Sequence, residues 1–205
     1  MRRSYNVGVL VTIKFALIGH RVPSHGKLNL NDLAGSCGRL DVILRSLNSA
    51  LFLSHGIREN VEVVLHLQGG DRPARRIWFD SSSVRGIHSD ERSIAGHISK
   101  ILELHLPPIG MKNMVKNGIY HGQGDLENTI KEWEREKTTI FQLDKSGKKI
   151  SSELKNYDNL GFILSDDKPF SEKEESILSN YNKVSVGEKW IQGHCVIAII
   201  HHYLE

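Results

Sequence analysis

Three places in this 205-residue chain put polar, chemistry-bearing side chains directly after apolar, β-rich runs. Leu143 leads to Asp144, Leu164 to Ser165-Asp166-Asp167, and Val186 to Gly187-Glu188. Parallel strands that end this way line one crevice at their carboxyl ends, where open α/β sheets hold small ligands. The crevice read from these residues is acidic. It has no run of phosphate-cradling glycines, no Walker-type loop and no dinucleotide fingerprint. A ligand with a positive centre and no phosphate fits it better than a nucleotide phosphate.

The third strand end continues through the polar segment Ser185-Val186-Gly187-Glu188-Lys189-Trp190-Ile191-Gln192-Gly193-His194-Cys195 into the apolar run from Val196 to Leu204. Lys183 to Val186 reads as a short buried strand and Val196 to Leu204 as a closing helix, so a free cysteine stands at the mouth of that helix. Cys195 is either a contact for a ligand or a buried structural thiol, a common fate of free cysteine. His194, Cys195, His201 and His202 invite a metal reading, but adjacent His201 and His202 point different ways on a helix and zinc spacing is not met. No metal is expected.

The elements that must position these residues follow from periodicity. Thr12 to Ile18 reads as a first strand, Arg39 to His55 as an amphipathic helix behind the polar loop Gly35-Ser36-Cys37-Gly38, and Val61–Leu67 and Arg75–Phe79 as strands around a Gly69-Gly70-Asp71 turn. Ser89 is the expected N-cap of a helix running to about Leu104, which Pro107-Pro108 stops. Residues 107–124 read as irregular and glycine-rich. Leu126 to Glu136 is a charged helix. Thr138–Leu143 and Leu160–Leu164 are strands, and Ser171 with Glu174 makes a capping box for a helix to Leu178. Strands alternating with helices predict an α/β fold with a mostly parallel sheet flanked by helices. One domain is expected over 12–205, with 1–11 as an extension.

Two cysteines are too few for a disulfide framework, and no apolar run reaches membrane-span length, so a cytoplasmic protein with reduced thiols is expected. Charge is uneven along the chain. Residues 1–100 carry 14 Lys+Arg against 8 Asp+Glu, and residues 101–205 carry 13 against 16; 11 of the 12 arginines fall in the first part. Arginine's planar fork suits phosphate, which makes the first half the candidate nucleic-acid surface, with Arg58, Arg72, Arg75, Arg76, Arg85 and the stretch 107–124 as contacts. S-adenosylmethionine, a sulfonium joined to adenosine, is a ligand of the kind the crevice suits.

Gly35-Ser36-Cys37-Gly38-Arg39-Leu40-Asp41, Asp90-Glu91-Arg92-Ser93-Ile94-Ala95 and His194-Cys195-Val196-Ile197 together resemble, in order and spacing, motifs of the archaeal tRNA pseudouridine-54 N1-methyltransferases (TrmY) of the SPOUT superfamily, over about residues 13–205. The resemblance implies a carboxyl end tucked into a trefoil knot, a homodimer, S-adenosylmethionine as methyl donor and tRNA as acceptor. It implies a donor site at Leu143, Ser165, the loop Ser185, Val186, Gly187, Glu188, Lys189 and Trp190, and Cys195. It further implies Asp41 holding or deprotonating the target base, Arg39 stabilising carbonyl charge or gripping phosphate, and Cys195 near the donor or base. The plain alternative is that Asp41 caps its helix and Arg39 is a surface charge. Asp166 and Asp167 either face the sulfonium or form a solvated loop. The chain departs from the family where Ser165 replaces a usual glycine, where Val186-Gly187-Glu188 replaces Leu-Gly-Pro, and where no arginine follows Gly118-Ile119-Tyr120.

Overall fold

The computed structural model describes residues 11–205. The expected extension 1–11 lies outside them except for Val11, which packs against the core. In chain order, β1 (Thr12–Pro23) leads through a loop to α1 (Leu40–Leu51), a small hairpin of β2 (Phe52–Leu53) and β3 (Gly56–Ile57), then β4 (Val61–Gly69) and β5 (Arg75–Asp80). After α2 (Glu91–Leu102) come β6 (Lys112–Lys116), β7 (Ile119–Gln123) and α3 (Leu126–Arg135). The last part is β8 (Thr139–Lys149), β9 (Asn159–Ser165), α4 (Glu172–Leu178), β10 (Asn182–Ser185) and α5 (Gly193–Leu204).

Eight strands form one sheet in the order β10-β8-β9-β1-β4-β5-β7-β6. Pairing is parallel from β10 to β4 and antiparallel from β4 to β6. β1 is paired on both edges, by β9 and β4, and packed on both faces, so Phe15–Ile18 is a continuous apolar run rather than an alternation. The period of two still sorts its side chains. Phe15 and Leu17 join the core shared with α1, α2 and α5, whereas Ala16 and Ile18 join a second core with Trp133 of α3 and Leu178 of α4. Helices therefore cover both faces.

Four local expectations are corrected. The stretch 107–124 is irregular only in its first part, over 107–111: β6 and β7 form an antiparallel hairpin whose two-residue loop is Asn117-Gly118, with Gly118 at φ 72°. That dipeptide is a strong hairpin signal, since its residues tolerate the left-handed conformations such loops need. The N-cap of α2 is Asp90, not Ser89; its carboxylate accepts from the Ser93 N–H at 2.7 Å. The first helix stops at Leu51 because the chain turns back through the β2–β3 hairpin. The closing helix starts at Gly193, which places Cys195 inside its first turn. The capping box of Ser171 and Glu174 forms on both sides. Among the described residues no helix is long and apolar enough to cross a membrane.

Candidate active site

β8, β9 and β10 are parallel neighbours. β9 and β10 end at the crevice, but β8 does not stop at Leu143 as expected. It runs on to Lys149, and its register with β10 jumps between Gln142 and Lys148, so Leu143, Asp144 and Lys145 bulge out there. Between these segments and the first turns of α1 and α5 lies a cleft of about 710 Å³, a size suited to a ligand of nucleoside dimensions. Leu143, Ser165, Ser185, Val186, Gly187, Lys189 and Trp190 all line it, as do the apolar side chains of Leu164, Phe170 and Val196; Glu188 and Cys195 do not. Glu188 is exposed beside the cleft, and Cys195 is exposed on the outward side of the first turn of α5. Exposure rules out the buried structural thiol for Cys195.

The loop after β10 has a simple cause. Ser185 Oγ donates to the Gly187 carbonyl at 2.7 Å and accepts from the Gly187 N–H at 3.1 Å, closing a serine turn that bends the chain away from the sheet. A Cβ built on Gly187 would meet nothing within 4 Å, so the cleft is open at that point. Ser165 turns its hydroxyl into its own loop and donates to the Lys168 carbonyl. Trp190 is 69% exposed at the rim, with the Lys145 ammonium 5.4 Å from its ring centre.

The crevice is not acidic, as the strand ends alone suggested. Asp144, Asp166, Asp167 and Glu175 line it, but so do Arg39, Arg45, Lys145, Lys168 and Lys189, which come from other elements or lie further along the same loops. The solvated-loop reading of Asp166 is corrected. Its side chain is fully buried; Oδ2 accepts from the His20 backbone N–H and Oδ1 lies 2.9 Å from His20 Nδ1. Asp167 pairs with Arg21.

At the start of α1, Gly38 and Arg39 both take left-handed backbone conformations, φ 59° and 67°. A side chain at Gly38 would place its Cβ 2.0 Å from the Arg21 carbonyl oxygen, so only glycine fits there. This tight crossing aims Arg39 into the cleft and toward Asp41. Arg39 Nε donates to Asp41 Oδ1 at 2.9 Å and Nη2 to Oδ2 at 3.1 Å; Arg45 Nη2 donates to Oδ2 at 2.7 Å. Hydrogen bonding from Arg39 holds the Asp41 carboxyl below the usual carboxylate range, reinforced by the charge of Arg45. The two arginines line the cleft and Asp41 stands behind them. Arg45 escaped the sequence reading, although its place one helical turn after Asp41 was a usable signal. His20 also escaped it, and no signal announced it, because its partners lie more than 140 residues away.

Arg75 and Arg76, expected on a nucleic-acid surface, are buried instead. Arg75 bonds the Ile101 and Leu104 carbonyls, and Arg76 forms a bidentate pair with Glu132 at 2.8 and 2.9 Å. Arg58 pairs with Glu205. Arg72 and Arg85 are exposed. The described residues contain no group of three or more His, Cys, Asp or Glu placed to hold a metal ion.

With this geometry in view, the chain matches over residues 13–205 the model of a family described as SAM-dependent RNA methyltransferases. It is 36% identical over 195 residues to the tRNA (pseudouridine(54)-N(1))-methyltransferase of Haloarcula marismortui, covering 94% of this chain and 96% of that one. The enzyme of the same name from Methanococcoides burtonii is 34% identical over 190 residues, covering 90% and 92%. Among solved structures, Archaeoglobus fulgidus Nep1 bound to S-adenosylhomocysteine superposes with a TM-score of 0.65 over 95% of this chain and 97% of that chain, at 14% identity. The shared feature there is the fold.

Proposed function

The chain belongs to the SAM-dependent RNA methyltransferase family, and from that membership we propose that it transfers a methyl group from S-adenosylmethionine to N1 of pseudouridine 54 in tRNA. The observation that carries this reading is the cleft between the bulge of β8 at Leu143–Lys145 and the ends of β9 and β10. Two arginines held by one carboxylate stand on its wall, in a chain whose curated relatives bear that activity in their names.

The residues present fit the donor. Leu143, Leu164, Phe170 and Val186 supply an apolar wall for a purine, and Gly187 leaves open space beside the turn made by Ser185. When bound, S-adenosylmethionine supplies an electrophilic methyl carbon and leaves as S-adenosylhomocysteine. N1 of pseudouridine carries a proton that must leave, and its negative charge spreads onto the neighbouring carbonyl oxygens. The guanidiniums of Arg39 and Arg45 are donors able to meet that charge in a site partly shielded from water. Asp41, held ionised by both, is a poor proton acceptor near neutral pH. Its role in this reading is therefore to hold the arginines, not to deprotonate the base. The proton goes to solvent or to a group of the RNA. Cys195 faces outward near the cleft and, with exposed Trp190 and Ile191, offers surface that a second subunit would cover. A homodimer, a knotted carboxyl end and a cytoplasmic location belong to the same reading. The return of α5 onto α1, where Ser49 Oγ donates to the His194 carbonyl at 2.7 Å, supports the tucked tail.

The test is to incubate the protein with S-adenosylmethionine and a tRNA bearing pseudouridine 54, then map methylated nucleosides by mass spectrometry. The expected product is 1-methylpseudouridine at position 54. A methyl group on any other nucleotide overturns the proposed target.

A further inference from the structure

The carboxyl end of β1 carries a side chain with no part in the chemistry just described. His20 lies between two carboxylates, with Nδ1 2.9 Å from Asp166 Oδ1 and Nε2 2.9 Å from Glu174 Oε2. Ionised carboxylates only accept, so both ring nitrogens donate and the ring is an imidazolium. Both carboxylates are nearly shut off from water: the Asp166 side chain is 0% exposed and that of Glu174 6%. They belong to two ends of one segment. Asp166 follows β9 and Glu174 is in the first turn of α4, so the loop 166–171 between them is stapled at each end to β1.

The rest of the network runs into the same loop. Asp166 Oδ1 also accepts from the Lys168 N–H at 2.9 Å, and the Asp166 N–H donates to the Ile18 carbonyl at 2.9 Å. Glu174 accepts from the Ser171 N–H at 2.8 Å and from Gln68 of β4 at 2.9 Å. The stapled loop is a wall of the cleft: Asp166, Asp167, Lys168, Pro169 and Phe170 all line it.

From this geometry we infer that His20 is a positioning residue for the donor, holding the loop between β9 and α4 in the shape that walls the cleft. The inference rests on the donor reading of that cleft. Without the imidazolium, two buried carboxylates lose the cation between them, and an uncompensated buried charge is strongly unfavourable. The bond from the Asp166 N–H to the Ile18 carbonyl and that from the His20 N–H to Asp166 Oδ2 remain, so the sheet keeps its order while the loop opens. Opening lowers the fraction of molecules able to bind, and apparent affinity falls by that fraction. A donor at saturating concentration recloses the loop, so turnover at saturation is retained.

The experiment is calorimetric titration with S-adenosylhomocysteine, paired with steady-state methyl transfer, on the wild-type chain, His20→Gln and His20→Arg. All are compared well below their melting temperatures. Glutamine can satisfy one carboxylate but not neutralise both, and its Kd is expected to rise about tenfold with kcat at saturating donor unchanged. Arginine restores a cation with donors for both carboxylates and is expected to bring Kd back to within about threefold of wild type. If His20→Gln binds as tightly as wild type, or loses kcat with Kd unchanged, the positioning role is wrong. If His20→Gln fails to fold, His20→Arg carries the test, and a folded His20→Arg that binds about tenfold more weakly overturns it. A wild-type chain that does not bind S-adenosylhomocysteine overturns the donor reading and this inference with it.

Discussion

Arg39 grips the carboxylate of Asp41 side-on, Nε to Oδ1 at 2.9 Å and Nη2 to Oδ2 at 3.1 Å, although only Leu40 separates them in the chain. Such a pair forms because Arg39 is left-handed, φ 67°, and so leads into the helix with its side chain folded over the first turn. Asp41→Ala removes the anchor of two cleft arginines at once. Turnover is expected to fall about a hundredfold, on the scale of losing an oriented donor to developing charge, while the Kd for S-adenosylhomocysteine stays within about twofold. Steady-state kinetics and a binding titration on the same preparation check this, and unchanged turnover would remove Asp41 and its arginines from the mechanism.

Gly38→Ala tests the backbone that makes this pairing possible. The added Cβ would lie 2.0 Å from the Arg21 carbonyl, and φ at this position is 59°. Backbone cannot step aside as a flexible side chain does, so the expected loss of stability is about 3 kcal/mol. Urea unfolding measures it; a loss below about 0.5 kcal/mol, the range of an ordinary surface change, would mean the crossing relaxes freely.

Gly187→Trp separates space in the cleft from stability. A Cβ at Gly187 has no neighbour within 4 Å, so the melting temperature should hold. The indole occupies the opening beside the Ser185 turn, and donor affinity should fall at least about tenfold. Donor affinity equal to wild type would place the ligand elsewhere.

The pH dependence of stability has a defined sign. Hydrogen bonds donated to Asp166 and Glu174 raise His20 to about 9 from an ordinary 6.5, so its contribution is complete below about pH 6.5 and is lost as pH rises through 9. Glu174, lowered to about 2 against the opposing effect of burial, contributes above about pH 4.5 and is lost as pH falls through 2. The charged groups facing the ring are Asp166 from the loop and Glu174 from α4, with the Arg21–Asp167 pair beside them. Urea midpoints should therefore fall between about pH 7 and pH 10 in the wild type and change less in His20→Gln. Parallel curves for the two proteins would contradict this assignment.

The architecture was legible where burial follows local periodicity. β1, β4, β9 and α1 announce themselves as apolar runs or stripes, and Ser171 with Glu174 caps α4 as its spacing requires. A cleft was legible too, because residues after Leu143, Leu164 and Val186 come together where parallel β8, β9 and β10 lie side by side. Charge within the cleft was not. Arg39 and Arg45 reach it from α1 and Lys189 from the loop beyond β10, so counting acids at strand ends missed the cations facing them. Arginine-rich composition misled in the same way: Arg75 and Arg76 alternate sides of a strand covered on both faces, and burial with carbonyl and Glu132 partners claimed them. His20 is the extreme case. Its function is set by Asp166 and Glu174, which only the tertiary fold brings within 2.9 Å.

The most direct measurement is transfer of labelled methyl from S-adenosylmethionine to two matched tRNA transcripts, one with pseudouridine at position 54 and one with uridine. In uridine N1 carries the sugar, whereas pseudouridine is joined to its sugar through C5 and leaves N1 free, so label is predicted in the pseudouridine transcript alone. Equal label in both, or label in neither while S-adenosylhomocysteine binds, would contradict N1 of pseudouridine 54 as the nucleophile.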